Sequence, residues 1–325
     1  MKFKIADKKI WFWAIGANFI FLMTGILFFS GKIDFSAGNQ ENRIKAGVCL
    51  MTMDNSYFEM IGNAIGSVIE EHGDILIARN PNMDKDKQNE QINDLISQDV
   101  KAIFIAPISW ESIESSVKKA REKGIKIIVV DSQAYDDSLV DCTVTSDNYG
   151  AGIQIANYLK TQAASAKIAL LKQSGIKSSE DRANGFKKAL DGISGFEIAG
   201  EKEYGGDAKS ALLATEELIR SGVNFDAIFA TNDAGAFGAY GAIEKSAYLS
   251  AVSIMGVDGS PDGKNMVKNK QMIATVAQFP TDIGKKAAES MYLMLDGKKC
   301  EKEIYIPVKL ITKYTIDSYD IEKWQ

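Results

Sequence analysis

The chain has 325 residues, of which 46% are hydrophobic, enough for two domains that each bury a core. Lysine and arginine together number 38 and aspartate and glutamate 43, which gives a formal net charge of −5. A chain with this balance lacks the excess of basic residues that nucleic-acid binding requires. We therefore expect no nucleic-acid partner.

The start of the chain differs in composition from the rest. Residues 10–29 (IWFWAIGANFIFLMTGILFF) carry no charge, and a helix of about 20 apolar residues spans a bilayer. Lysines precede the run, so the positive-inside rule predicts a cytoplasmic tail at 1–9, a single-pass anchor in the cell membrane at 10–29 and a tether at 30–43. The remainder is then extracellular. A cleaved signal peptide is the alternative, although its apolar segment is shorter and no small-residue cleavage site follows Phe29.

From residue 44 onward, predicted strands and helices alternate. The first series of predicted strands is 44–51, 75–78, 102–106, 125–130 and 140–145. The predicted helices between them are 57–71, 85–98 and 111–123. Strand 125–130 is apolar at every position except Lys126, which is typical of strands buried on both faces of a parallel sheet.

The alternation then starts a second series. Its predicted strands are 167–171, 197–199, 227–230, 252–257, 273–277 and 304–311. Its predicted helices are 149–161, 178–190, 207–220, 233–246, 261–270 and 280–295. This spacing predicts an α/β fold of two doubly wound lobes, each a parallel sheet with helices on both faces.

Motifs for enzymatic chemistry are absent. No dinucleotide fingerprint, phosphate-binding loop or nucleophile elbow occurs. The single histidine, His72, ends a predicted helix, where the helix dipole favours it, and gives no support to a Ser-His-Asp triad. Cys49, Cys142 and Cys300 lack metal-binding spacing, and the first two lie in apolar runs typical of buried thiols. We predict a protein that is not an enzyme and holds neither a cofactor nor a metal ion.

Polar side chains collect where predicted strands end, and ligands of parallel sheets bind outside those ends. These residues are Asp54, Asn55, Asp131, Asn232, Asp233, Asp258 and Gln278, and Arg182 lies on the helix after strand 167–171. Carboxylates and amides around one crevice, with a guanidinium, suit a ligand rich in hydroxyl groups. Tyr57 or Phe58 can stack on the apolar face of a sugar ring. Any of the strand-end residues could instead cap a helix, and we assign that role to Asp233 alone.

The chain from about residue 44 to its end resembles the ribose-type periplasmic sugar-binding proteins. The stretches that match are 54–58 (DNSYF), 128–131 (IVVD), 145–148 (TSDN), 181–186 (DRANGF), 230–233 (ATND), 256–263 (GVDGSPDG) and 274–278 (ATVAQ). The resemblance implies sugar contacts from Asn55, Phe58, Asp131, Arg182, Asn232, Asp258 and Gln278, and a ring-stacking position at Tyr57. Trp110 is an extra bulky residue that either contacts the ligand or packs at the start of a helix.

Several positions depart from the ribose pattern. Met51 stands where a small hydroxyl residue is usual, Ala106 replaces an asparagine, Ser132 an arginine, and Val257 an aromatic residue before Asp258. The sugar framework is kept, so we expect a pentose, with xylose favoured over ribose. The layout is also similar to membrane-anchored xylose-binding sensors that partner a histidine kinase.

The resemblance further implies a hinge of three crossovers between the lobes. Lobe one is then 44–146 with 279–309, and lobe two is 147–278 with 310–325. Sugar touching residues of both lobes would stabilise the closed state. A membrane anchor favours a fixed signalling partner, such as a sensor histidine kinase or a chemoreceptor. The alternative is the permease of an ABC transporter.

Overall fold

The computed structural model of the protein describes residues 43–133, 136–244 and 252–325. Within these ranges the alternating strands and helices form two six-stranded sheets. No helix in these ranges combines the length and the apolar character needed to cross a membrane. The predicted tail at 1–9, the predicted anchor at 10–29 and the tether up to residue 42 lie outside the described residues.

The first sheet and its helices form lobe one. Its strands are β1 (Lys45–Cys49), β2 (Ile75–Arg79), β3 (Ala102–Ile105), β4 (Lys126–Val130), β5 (Cys142–Ser146) and β11 (Glu303–Ile306). They lie in the order β11-β5-β4-β3-β1-β2, with every pair parallel. The helices are α1 (Ser56–Glu71), α2 (Lys85–Ser97), α3 (Trp110–Glu122) and α9 (Pro280–Leu295).

The second sheet and its helices form lobe two. Its strands are β6 (Ala166–Lys172), β7 (Phe196–Glu203), β8 (Ala227–Ala230), β9 (Ser253–Asp258), β10 (Ala274–Ala277) and β12 (Lys309–Thr312). They lie in the order β12-β10-β9-β8-β6-β7, and only β12 runs antiparallel to its neighbour. The helices are α4 (Asn148–Gln162), α5 (Lys177–Leu190), α6 (Ala208–Arg220), α7 (Asp233–Glu244) and α8 (Pro261–Lys268).

The central strands bury both of their faces, as the apolar run in β4 predicts. Ile127 and Val129 pack into a core with residues of α2 and α3. Ile128 and Val130 point to the opposite face and pack with residues of α1 and α9. All four side chains are fully buried. The predicted α/β fold of two sheet-based lobes is confirmed.

Two predicted strands differ from the structure. The predicted strand 304–311 is two strands, β11 and β12, which lie in different sheets on either side of Pro307. Proline lacks the N–H that a sheet ladder needs, so it marks the break. The expectation of wholly parallel sheets is therefore wrong at β12. The predicted strand 197–199 is the longer β7, an edge strand whose alternating exposure weakens its apolar signal.

The chain passes between the lobes at three places, which bring the carboxyl ends of the two sheets together. The first lies between β5 and α4, the second between β10 and α9, and the third between β11 and β12. The third is short, because β11 ends at Ile306 and β12 begins at Lys309. The residue boundaries of the lobes given above stay a prediction.

Candidate ligand-binding site

A cavity of about 590 Å³ lies at the carboxyl ends of strands from both lobes. Its volume is within the range of small-molecule sites. Eight of the nine predicted site residues line it, which are Asn55, Tyr57, Phe58, Asp131, Arg182, Asn232, Asp258 and Gln278. The first four follow β1 and β4 of lobe one, and the other four belong to lobe two or to the crossover after β10.

Asp258 is the last residue of β9 and the centre of the lobe-two side of the cavity. Its Oδ1 accepts hydrogen bonds from Gln278 Nε2 at 2.8 Å and from Arg182 Nη1 at 3.4 Å. Its Oδ2 lies 3.4 Å from the backbone N–H of Asp233. Burial raises the pKa of Asp258 to about 7, a rise that Arg182 opposes and Asp233 reinforces. The carboxylate thus has ordered donors and still keeps acceptor capacity for a ligand.

Arg182 is held in place by hydrogen bonds to other residues of lobe two. The side chain is only 5% exposed. Its Nε donates to Asn148 Oδ1 at 2.8 Å, and its Nη1 donates to the carbonyl of Thr231 at 2.7 Å. None of the hydrogen bonds among the described residues uses Nη2, and the residue lines the cavity. A guanidinium fixed in this way can donate two N–H groups in a defined direction.

Asn232, and not Asp233, is the residue that caps α7. Asn232 Oδ1 accepts from the N–H of Gly235 at 2.6 Å, which caps α7, and from the Tyr204 hydroxyl at 2.8 Å. Its Nδ2 donates to the carbonyl of Gly206 at 2.9 Å, so one N–H is left for a ligand. The sequence predicts the capping role for Asp233, but its carboxylate instead accepts from Ser260, in the loop after β9, and from Thr275 in β10.

The lobe-one side carries two aromatic rings and one carboxylate. The Tyr57 hydroxyl donates to Asp131 Oδ1 at 2.8 Å and lies 3.2 Å from Gln278 Oε1. Burial raises the pKa of Asp131 and raises the pKa of the Tyr57 phenol well above its ordinary value. Phe58 meets Tyr57 edge to face at 5.4 Å, and Asn55 Oδ1 caps α1 by accepting from the Tyr57 N–H. Tyr57 therefore contributes a hydroxyl as well as a ring.

Both cavity aspartates have unusual backbone conformations. Asp131 has φ 70° and Asp258 has φ 147°, in the region that favours glycine. Non-glycine residues held there cost on the order of 1–3 kcal/mol, and they cluster at functional sites. The two carboxylates thus share partial burial, strand-end position and backbone strain, although they belong to different lobes.

Trp110 and Val257 are not brought to this cavity. Trp110 is buried in the core under α3 and lines a separate cavity of about 240 Å³ with Ser132 and Lys177. Its placement matches the packing alternative that the sequence left open. Val257 is fully buried in the core of lobe two, so its departure from the ribose pattern changes packing and not the cavity wall.

Several residues that line the cavity were missed by the sequence reasoning. They are Met83, Gln173, Phe237 and Trp324. Three of them lie in loops or on a helix face where no periodicity points to a ligand. Trp324 carries the only available signal, because a tryptophan in the polar stretch 320–325 has no core of its own to fill.

No group of His, Cys, Asp and Glu in the described ranges is arranged to hold a metal ion. The fold and the cavity together define a two-lobed binding protein with a cavity lined by residues of both lobes. The family of periplasmic binding protein domains matches residues 46–299, and the chain belongs to this family.

Named relatives extend over most of the chain. The ribose import binding protein of Bacillus subtilis is 30% identical over 280 residues, which are 86% of this chain and 90% of the relative. The D-allose-binding periplasmic protein of Escherichia coli is 31% identical over 230 residues, covering 68% of this chain and 73% of the relative. These relatives are binding proteins, and the prediction that the chain is not an enzyme is confirmed.

Solved structures show the same fold. An ABC transporter solute-binding protein of Bacillus halodurans, with bound myo-inositol, has a TM-score of 0.78 at 22% identity and covers 87% of this chain and 99% of its own. A glucose-galactose binding protein of Geobacillus stearothermophilus has a TM-score of 0.79 at 20% identity, covering 84% of this chain and 99% of its own.

Proposed function

We propose that the protein binds a monosaccharide outside the cytoplasm and closes its two lobes around it. The observation that carries this proposal is that Asp131 of lobe one and Asp258 of lobe two line the same cavity, together with Arg182. Two carboxylates accept hydrogen bonds from hydroxyl groups, and a guanidinium donates to ring or hydroxyl oxygens. Tyr57 and Phe58 add apolar ring surface beside these groups.

The size and chemistry of the cavity support a single sugar unit. A volume of about 590 Å³ with polar groups on both sides suits a small polyhydroxylated ligand. The relatives are named for ribose and allose, and one similar structure holds myo-inositol. We propose a pentose, with xylose ahead of ribose, because Met51 lines the cavity where the ribose pattern has a small hydroxyl residue.

Closure follows from the division of the site between lobes. A ligand that contacts Asp131 and Asp258 together gains more contacts when the lobes are shut than when they are apart. Such a ligand shifts the population toward the closed state by its difference in affinity. The closed state is then the form that a membrane partner recognises.

We propose the permease of an ABC transporter as that partner. The named relatives include import binding proteins, and the similar structures include ABC transporter solute-binding proteins. A sensor histidine kinase or a chemoreceptor is the second candidate. The observation that favours it is the charge-free run at 10–29, since an uncleaved anchor would hold the protein beside one fixed membrane partner.

Titration calorimetry tests the ligand. The full chain in detergent micelles is titrated with D-xylose, D-ribose, D-allose and myo-inositol, and saturable binding of at least one is expected. Heat changes no larger than dilution for all four would contradict the proposal. Crosslinking in membranes followed by mass spectrometry tests the partner: recovery of a permease supports transport, whereas a kinase without a permease supports sensing.

A further inference from the structure

One cavity residue, Trp324, lies outside the matching stretches given above and beyond the end of the matched periplasmic binding protein domain. The segment 319–325 leaves lobe two and ends at the cavity. Tyr319 and Ile321 pack against the core of lobe two, whereas Trp324 packs against the core of lobe one. The family match ends at residue 299, so this segment lies beyond it.

A buried lysine fixes the segment to lobe two. Lys264 on α8 is 1% exposed, and its ammonium group donates to the carbonyls of Asp320 and Lys323 and, at 3.1 Å, to Gln325 Oε1. An ammonium group has three N–H donors, and here the segment supplies an acceptor for each. A buried charge is costly unless polar groups pair with it. All three acceptors come from this segment, so moving the segment would leave the ammonium group buried without them.

Gln325 ties the same segment to the strand ends of the cavity. Its Nε2 donates to the carbonyl of Gln278 at 2.9 Å and lies 3.2 Å from the carbonyl of Gly259. These carbonyls flank the side chains of Gln278 and Asp258, which line the cavity. The position of the segment is therefore coupled to the lobe-two side of the site.

Trp324 reaches from this anchored segment to lobe one. Its ring meets Tyr57 edge to face, with centroids 5.2 Å apart, and its Nε1 donates to Ser56 Oγ at 2.9 Å. The indole is partly buried, and its remaining surface lines the cavity beside Tyr57 and Phe58. It is the one aromatic ring at the cavity, among the described residues, that is anchored to lobe two and packed on lobe one.

We propose that Trp324 is a ligand-contacting wall of the cavity that selects which sugars fit, and that Lys264 is the residue that positions it. This proposal rests on the proposed binding of a monosaccharide. The apolar face of a sugar ring packs on an indole, and the size of the indole limits how large a ligand the closed cavity admits.

The first test replaces the wall. In the full chain, Trp324→Ala is expected to lower the calorimetric affinity for the best-binding pentose, D-xylose or D-ribose, by about tenfold or more. The affinity for the larger D-allose is expected to fall less, so that the ratio of allose to pentose affinity rises about fivefold. Trp324→Phe keeps a ring and is expected to stay within about threefold of the unchanged protein.

Fluorescence gives a signature that a merely structural role would not move. The chain has four tryptophans, and only Trp324 lines the cavity among those in the described residues. The sugar-induced change in tryptophan fluorescence is expected to vanish in Trp324→Phe while binding persists. Trp110→Phe is the matched control, because Trp110 lies in a separate core, and it is expected to keep the change. This arm remains informative if Trp324→Ala fails to fold.

A double-mutant cycle tests the positioning residue. Lys264→Met is expected to lower pentose affinity in the unchanged chain but not further in the Trp324→Ala background, because both changes remove the same wall. If Lys264→Met acted only by a general loss of stability, its loss of pentose affinity would add to the loss caused by Trp324→Ala, and Lys264 would not be the positioning residue.

Two outcomes separate this proposal from the proposed function. If the unchanged protein binds none of the sugars, the proposed function fails and the wall proposal fails with it. If it binds a pentose, but Trp324→Ala leaves affinity within twofold and the allose ratio unchanged, the wall proposal alone is overturned. A fluorescence change that survives in Trp324→Phe would overturn it as well.

Discussion

The two sides of the cavity are built differently. On the side of lobe two, Asp258, Arg182 and Gln278 form a connected hydrogen-bond network whose members are held by other protein groups. On the side of lobe one, Tyr57 is the one described residue whose side chain donates to the Asp131 carboxylate, and the rest of the lining mixes aromatic rings with methionine and small polar side chains. Lobe two is thus polar and preorganised, whereas lobe one supplies apolar ring surface and one further carboxylate.

This difference assigns distinct tasks to the lobes. Preorganised donors and acceptors lose little freedom when a ligand binds, so they contribute most to affinity. Rings set the shape of the space in which a ligand fits and add contact area on closure. We expect the polar groups of lobe two to decide how tightly the ligand binds, and the rings on the side of lobe one, including that of Trp324, to decide which ligand is admitted.

The largest expected effect is at Asp258. Asp258→Ala removes a charged acceptor and leaves Arg182 without its carboxylate, so sugar affinity is expected to fall by about 100-fold or more. Titration calorimetry measures the loss, and Asp258→Asn is the matched variant that keeps the shape of the side chain. An affinity within twofold of the unchanged protein would show that Asp258 does not bind the ligand.

A smaller effect is expected at the corresponding carboxylate of lobe one. Asp131→Ala is expected to cost about 30-fold in affinity, because fewer protein donors hold this carboxylate in place for the ligand. Tyr57→Phe removes the donor to Asp131 but keeps the ring, and it is expected to cost less than Asp131→Ala. If Asp131→Ala cost as much as Asp258→Ala, the proposed division between the lobes would be wrong.

The raised pKa of Asp258 predicts that stability and sugar affinity change with pH in opposite directions. Burial favours the protonated form in the folded protein, so this group's contribution to stability is full below its ordinary pKa and is lost as pH rises through about 7. Ligand hydroxyl groups donate to the ionised form, so affinity is expected to rise up to about tenfold between about pH 6 and pH 8.

Calorimetry between about pH 6 and pH 8 measures the affinity, and thermal unfolding between about pH 4 and pH 8 measures the stability. Asp258→Asn cannot titrate, so it is expected to flatten this part of both profiles. Burial also raises the pKa of Asp131. Asp131 still titrates in the Asp258→Asn variant, so the pH dependence that remains there serves as the internal comparison. An unchanged pH profile in Asp258→Asn would assign the dependence to another group.

The smallest effect on affinity is expected at Trp110. Trp110→Ala opens a hole in the core under α3, so it is expected to lower the free energy of unfolding by about 3–5 kcal/mol. Its effect on sugar affinity is expected to be below twofold, because the residue lies outside the cavity. Denaturant unfolding and calorimetry on the same sample measure the two quantities. A tenfold loss of affinity with unchanged stability would move Trp110 into the site.

The sequence was most informative where topology determines position. Parallel strands of one sheet end at one edge, so Asp258 and Gln278, at the ends of β9 and β10, can be placed together from their positions at the ends of apolar runs. Asp131 follows β4 of the other sheet and meets them only because the crossovers bring the two edges together. Pro307 shows in the sequence that one strand ends and another begins. Apolar residues on both sides of it make the stretch look like a single strand, so the sequence does not show that β11 and β12 lie in different sheets. The antiparallel direction of β12 depends on the geometry of the third crossover, which local pattern does not encode.

Other features depend on contacts between distant parts of the chain. Asn232 and Asp233 are neighbours of similar chemistry, and only the positions of Gly235 and Ser260 decide which one caps α7. Lys264 is far in sequence from the segment that carries Trp324, and its buried ammonium group holds that segment by donating to the carbonyl of Lys323. Periodicity in a single sequence carries no information about such pairs.

The positive φ angles of Asp131 and Asp258 have a consequence for how this chain responds to selection. At both positions a glycine would relieve the backbone, and loss of the carboxylate would remove the cost of burying it. A library screened for heat tolerance alone is therefore expected to enrich glycine or asparagine at these two sites. The survivors would be robust proteins that have lost their ligand, so any engineering of this scaffold must screen for binding and stability together.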